Sequence, residues 1–158
     1  MLLCKRMLDD LKKTTSVGLL HYANEFFDCA IAADDEIGHR PGFELIAPIP
    51  VMYLIGHSIE LCLKSYLMFR GVPLSDLKSN KYGHNLMKCL KKAEDLGLTE
   101  HIKLDDHERS ALVVLNKLYS TKQLNYLVTG AKEFPVFGHL QMVNTKLLDA
   151  ISPLVGYK

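Results

Sequence analysis

The chain has 158 residues and a mass of 17.8 kDa, and its 19 Lys and Arg against 18 Asp and Glu leave a net charge of +1. That length fits one domain over 1–158, with a core over about 16–153, able to bury ~68–70% of its unfolded surface without covalent staples. Apolar residues at 48% and charged residues at 23% exclude a disordered chain, and the balanced charge excludes a protein coated in nucleic-acid-binding charge while leaving room for a local patch.

The predicted elements are helical throughout. Leu3, Met7, Leu8 and Leu11 space as a short amphipathic helix, and Lys5, Arg6, Asp9 and Asp10 interrupt it too often for a signal peptide. Thr14, Thr15 and Ser16 then cap or break the chain. Leu19, Leu20, Ala23, Phe26, Phe27, Ala30, Ile31 and Ala33 form the next stripe, ending near Asp34, Asp35 and Glu36. Gly38, Pro41, Gly42, Pro48 and Pro50 mark a loop. Pro50 suits the first turn of a helix that runs to Arg70 and stops at Gly71 and Pro73. Thirteen of the twenty residues from Val51 to Arg70 are apolar, which predicts the central helix of a bundle. It is not a membrane span, because His57, Glu60 and Lys64 lie within it and a charge at a bilayer centre costs ~2.5–3.5 kcal/mol.

Residues 72–82 read as a polar loop. Asn85 caps a helix of Leu86, Leu90, Ala93 and Leu96, stopped by Gly97. Leu104, Ala111, Leu112, Leu115 and Leu118 mark a fourth long helix. Residues 123–135 read as irregular, in part extended. Leu140, Val143, Leu147 and Ile151 give a last helix, stopped by Pro153. The expected fold is an all-α helical bundle of about five main helices.

Cysteines stand at 4, 29, 62 and 89, far from any zinc-ribbon or disulfide spacing. Cys29, Cys62 and Cys89 read as small core hydrophobes in a reducing cytosol, so the expected location is cytoplasmic. Charge is neutral in sum but segregated. Residues 24–44 carry six acids and one base, residues 64–92 seven bases and one acid, and residues 93–109 six acids and two bases. Lys88, Lys91 and Lys92 in the basic stretch are candidates for a phosphate or RNA contact, or for a solvated helix face.

His57, Glu60 and Lys64 fall at i, i+3 and i+7, which at ~100° per residue places them within a sector of about 60° on an otherwise apolar helix. Polar groups so placed need partners. Glu60 and Lys64 have the favourable order for an i, i+4 ion pair. The stripe reads either as a polar pocket or as a structural salt bridge with His57 as its third member. Gly83-His84-Asn85-Leu86 follows, with Gly83 making a turn and Asn85 capping. His84 then lies beside the amides of a helix N-terminus, a natural anion site, or hydrogen-bonds across to Glu60.

These segments carry a resemblance. Leu54 to Leu67, with its H-x-I-E-L-x-L-K-x-Y-L pattern, then Gly71, then Gly83-His84-Asn85-Leu86, resembles the HEPN (higher eukaryotes and prokaryotes nucleotide-binding) superfamily. Leu115-Asn116-x-x-Tyr119, and Asn125-Tyr126 to Pro135, are similar to its L-N-x-x-Y and R-Y-P segments. The resemblance implies a helical bundle, usually dimeric, that pairs with a nucleotidyltransferase or acts as an RNase in toxin–antitoxin and antiviral systems. Its nuclease members use R-x4-6-H, and none of Arg6, Arg40, Arg70 and Arg109 has a His at that distance. Asn125 also stands where the Arg of R-Y-P is expected.

No phosphate-cradling glycine loop and no G-x-S-x-G occurs. Glu36-x-x-His39 is half of a di-iron pair without its second half, so no metal and no cofactor is expected. The leading expectation is a non-catalytic module that binds nucleotide, RNA or a protein partner through His57, Glu60, Lys64, His84, Asn85, Lys88, Lys91, Lys92 and Tyr119. Glu60 would orient Lys64 and His84. The rival expectation is a divergent RNase or nucleotide-transfer accessory with His84 as acid/base and Glu60 as its orienter. A purely structural dimer is a third. A homodimer is expected from the broadly apolar central helix and from Val113, Val114, Tyr119, Tyr126, Phe134 and Phe137, of a kind that favours interfaces.

Overall fold

The computed structural model describes residues 13–126 and 129–158. The helix expected around Leu3 to Leu11 lies outside the described residues. Five main helices form the bundle: α1 (Ser16–Ile37), α2 (Ile49–Phe69), α4 (Leu86–Asp95), α5 (Asp106–Ser120) and α6 (Phe137–Val155). A short α3 (Leu74–Lys78) and a 3-10 turn (Leu98–Glu100) lie in the connections, and no strand occurs among the described residues. The described residues of 123–135 therefore contain no ladder pairing, only turns and irregular chain.

The ends follow local chemistry. Thr15 opens α1, its hydroxyl accepting the Gly18 N–H at 3.0 Å. Pro50 sits in the first turn of α2, where its missing N–H is not needed. Asn85 caps α4 and Gly97 follows its end with a φ of 97°, as expected. Leu104 lies before α5 rather than in it, because the reciprocal capping box of Asp105 and Glu108 makes Asp105 the N-cap and Asp106 the first helical residue.

Two further expectations about helix extent are corrected. The segment 72–82 is not all loop: Pro73 starts α3, and Leu77 is buried in the core. Pro153 does not stop α6, which continues to Val155 and ends at Gly156 with a φ of 76°. A proline in the final turn removes one hydrogen bond, and the remaining turn closes through Tyr157 N–H to Ser152 O at 2.9 Å.

α2 is the hub, packed against α1, α4, α5 and α6. Along it Val51, Met52, Ile55, Ile59, Cys62, Leu63, Tyr66 and Leu67 are buried, whereas Ile49 and Phe69 at its two ends are exposed. α1 lies antiparallel beside it. Ser58 Oγ donates to Ala23 O at 2.6 Å, and Ser65 Oγ to Ser16 O at 2.7 Å. Cys62 and Cys89 are core residues, but Cys29 is exposed. It lies about 100° round α1 from buried Ala30, off the stripe of Leu20, Ala23 and Ala30. Among the described residues no helix is long and apolar enough to cross a membrane.

The aromatic residues offered as a partner face are mostly used internally. Tyr119 is buried, and Phe134 and Phe137 pack against the core of their own chain. Only Tyr126 stands out, 66% exposed.

Candidate functional site

The polar stripe of α2 meets α5 and the turn before α4 at one buried carboxylate. Glu60, 3% exposed, receives Lys64 Nζ on Oε1 at 2.5 Å. On Oε2 it receives the Tyr119 hydroxyl at 2.5 Å and His84 Nδ1 at 3.1 Å. Lys64 also donates to Gly83 O at 2.8 Å, so one ammonium fixes both the carboxylate and the turn that presents His84. Gly83 takes a φ of 47°, which the turn requires.

His57 contributes indirectly. Its Nδ1 is 2.9 Å from the Tyr119 hydroxyl and 3.6 Å from Glu60 Oε2. The tyrosine gives its proton to the carboxylate, which only accepts, so His57 Nδ1–H must donate to the tyrosine oxygen. The same rule makes His84 the Nδ1–H tautomer when neutral, with a lone pair on Nε2. His84 is thus fixed by a carboxylate while its side chain is 51% exposed.

Burial alone would raise the Glu60 carboxyl. Its hydrogen-bonding neighbours and the Lys64 charge outweigh that and hold it at about 2. The tyrosine moves the other way: burial and the adjacent Glu60 charge push the Tyr119 hydroxyl up, so it remains a donor. Gly56 makes room for the arrangement, since a Cβ there would stand 2.9 Å from the Tyr119 ring.

Tyr53, His84, Tyr119, Lys122, Asn125 and Tyr126 line a cavity of about 170 Å³ above this cluster. Its wall is aromatic, and His84 and Lys122 add an imidazole and an ammonium. Drug-sized ligands fill pockets of ~300–1,000 Å³, so this one takes a part of a larger ligand, such as one ring or one phosphate.

The expected site residues divide. His57, Glu60, Lys64, His84 and Tyr119 come together. Lys64 turns inward to Glu60 and is not among the cavity's lining residues. Lys88, Lys91 and Lys92 lie on α4 and do not line the cavity either. Asn85 is a cap, accepting Lys88 N–H at 3.0 Å. The anion site expected at the start of α4 is largely filled: Asn116 Oδ1 takes the Leu86 N–H at 2.8 Å, and Asn85 takes that of Lys88. Asn116 and Tyr119 of the Leu115-Asn116-x-x-Tyr119 segment therefore serve, respectively, the α4 terminus and the Glu60 cluster.

Sequence reasoning missed Tyr53 and Lys122. Tyr53 stands one turn before His57 on the same face of α2, a signal that could have found it. Lys122 carries no such signal. Among the described residues no cluster of three or more His, Cys, Asp or Glu side chains is placed to hold a metal ion. No family model, curated protein or solved structure matches the chain.

Proposed function

We propose that the chain is a HEPN-like module that binds a nucleotide or single-stranded RNA at the tyrosine-walled cavity, without cleaving it. The observation that carries this reading is the buried, ionised Glu60 holding His84 and Tyr119 in fixed orientation at a cavity faced by Tyr53 and Tyr126. Aromatic faces accept nucleobases by stacking, worth ~1–3 kcal/mol per base, and the imidazole and Lys122 favour phosphate. The sequence resemblance adds support, and the missing R-x4-6-H argues against a metal-independent nuclease. The free thiols at Cys29, Cys62 and Cys89 are in keeping with the cytoplasm.

The test is calorimetric titration with a short oligouridylate, together with incubation of labelled RNA. Binding should weaken as salt rises, and Tyr126→Ala should lose about ten-fold in affinity while the RNA stays intact. No binding at low salt would refute the reading.

One observation favours a second reading. The 3.1 Å contact of His84 Nδ1 with Glu60 leaves Nε2 as a proton acceptor, the arrangement of an acid/base histidine in a divergent RNase or nucleotide-transfer accessory. RNA cleavage that disappears in His84→Ala would select it.

A homodimer belongs to the leading proposal. Val113, Val136 and Met142 are exposed apolar side chains on or beside α5 and α6 that a second copy would cover. Light scattering at micromolar protein should give twice the 17.8 kDa chain mass, and a mass near 17.8 kDa would refute the dimer. A dimer that binds no nucleotide or RNA would leave the purely structural role.

A further inference from the structure

Lys122 is the one non-glycine residue with positive φ among the described residues, at 59°. Its place explains the angle. α5 ends at Ser120 with Thr121 as its cap, and Lys122 follows. Lys122 N–H bonds to Tyr119 O at 3.0 Å, and Gln123 N–H to Leu118 O at 2.9 Å. That pair of bonds is the Schellman closure, whose left-handed position is usually glycine because a Cβ there is strained. The chain supplies glycine at the corresponding positions after α4 and α6, Gly97 and Gly156, but not after α5.

The lysine side chain at this strained position lines the cavity. The other ammonium at the site, Lys64, is neutralised by Glu60. Among the described residues Lys122 forms no ion pair. It is the only lysine or arginine among the lining residues, and its ammonium is not taken up by a carboxylate. Backbone strain is kept where the surroundings or the function need the residue.

We propose that Lys122 is the phosphate-recognition residue of the cavity, held in a conformation that glycine would suit better because its ammonium is needed there. The inference rests on the nucleotide-binding reading above. It assigns the phosphate contact to the end of α5 rather than to Lys88, Lys91 and Lys92 on α4. The phosphate is either the terminal group of a free nucleotide or a backbone group of RNA.

The test compares wild type with Lys122→Gly, using AMP, adenosine and an oligouridylate with a 5′ hydroxyl. Wild type should bind AMP about ten-fold more tightly than adenosine, by one charge-assisted contact. Lys122→Gly should bind AMP and adenosine alike, while its Tm rises by about 2 °C as the strain is relieved. A selective loss for AMP identifies a terminal phosphate, and a matching loss for the 5′-hydroxyl oligomer a backbone phosphate. Retained AMP preference in Lys122→Gly would overturn the assignment, and so would a fall in Tm. Wild type that binds none of the three probes would instead overturn the nucleotide-binding reading itself. Lys122→Arg should keep the AMP preference without the gain in Tm, which separates loss of charge from loss of strain.

Discussion

Glu60 receives its three partners from three segments: Lys64 from its own helix, Tyr119 from α5 and His84 from the turn before α4. Its carboxyl sits at about 2 in the folded chain, below its ordinary 4.5. A depressed carboxyl contributes stability above its unfolded value and loses it as the pH falls. Glu60 should therefore contribute on the order of 3 kcal/mol above about pH 4.5, lost progressively toward pH 2. Urea unfolding of wild type and Glu60→Gln across that range checks it. The variant should start about 3 kcal/mol lower at pH 7, because Lys64 is left 13% exposed without its counter-charge, and should show a shallower acid limb. Parallel curves would contradict the assignment. Gly56→Ala tests the packing under the tyrosine. Alanine should gain up to ~1 kcal/mol in helix propensity, yet its Cβ falls 2.9 Å from the ring. A net loss of about 1–2 kcal/mol by thermal unfolding is expected, with weaker ligand binding as the Tyr119 hydroxyl leaves Glu60. The sequence made the stripe of His57, Glu60 and Lys64 legible through spacing, and His84 through its glycine turn. It did not reveal the role of Tyr119 as the bridge between His57 and Glu60, which depends on packing of α5 against α2. Lys122 was hidden for another reason: lysine is an ordinary helix former, and nothing in its letter marks a left-handed backbone.

At the scale of elements, apolar periodicity located four of the five main helices because each buries one face, and the apolar density from Val51 to Arg70 located α2, which packs against the other four. Boundaries were harder where a local device outweighs the apolar pattern. Asp105 and Glu108 start α5 after Leu104, although Leu104 itself packs against the core. Asp105 Oδ1 accepts Glu108 N–H at 2.8 Å, and Glu108 Oε2 accepts Asp105 N–H at 2.8 Å. Asp105→Ala should cost about 1 kcal/mol and lower Tm by about 2–4 °C. An unchanged Tm in a melting curve would show that the box contributes little. The buried Glu108 is also gripped by Lys146 of α6 at 2.7 Å, so the same residue joins a cap to an interhelical contact. The segment 72–82 reads as polar, yet Leu77 and Tyr82 within it are buried in the core, and Leu77 lies on the short α3.

The whole molecule is organised around α2, which packs against the other four main helices. Much of its apolar surface is buried there, while exposed apolar side chains include Ile49 and Phe69 at its ends and Val113, Val136 and Met142 elsewhere. The same packing sorts the thiols. Burial pushes Cys62 upward and Cys89 up to about 12, whereas Cys29 is open to solvent. In a Cys4→Ser background, a thiol reagent at pH 8 should label Cys29 at once, and Cys62 and Cys89 only on unfolding in urea. Prompt labelling of Cys62 would contradict a closed core around α2. The central claim concerns the cavity above Glu60, and amide and side-chain NMR shifts on titration with AMP and an oligouridylate test it most directly. Shifts should concentrate at Tyr53, His84, Tyr119, Lys122 and Tyr126. Shifts confined to Lys88, Lys91 and Lys92 on α4, or none at all, would contradict it.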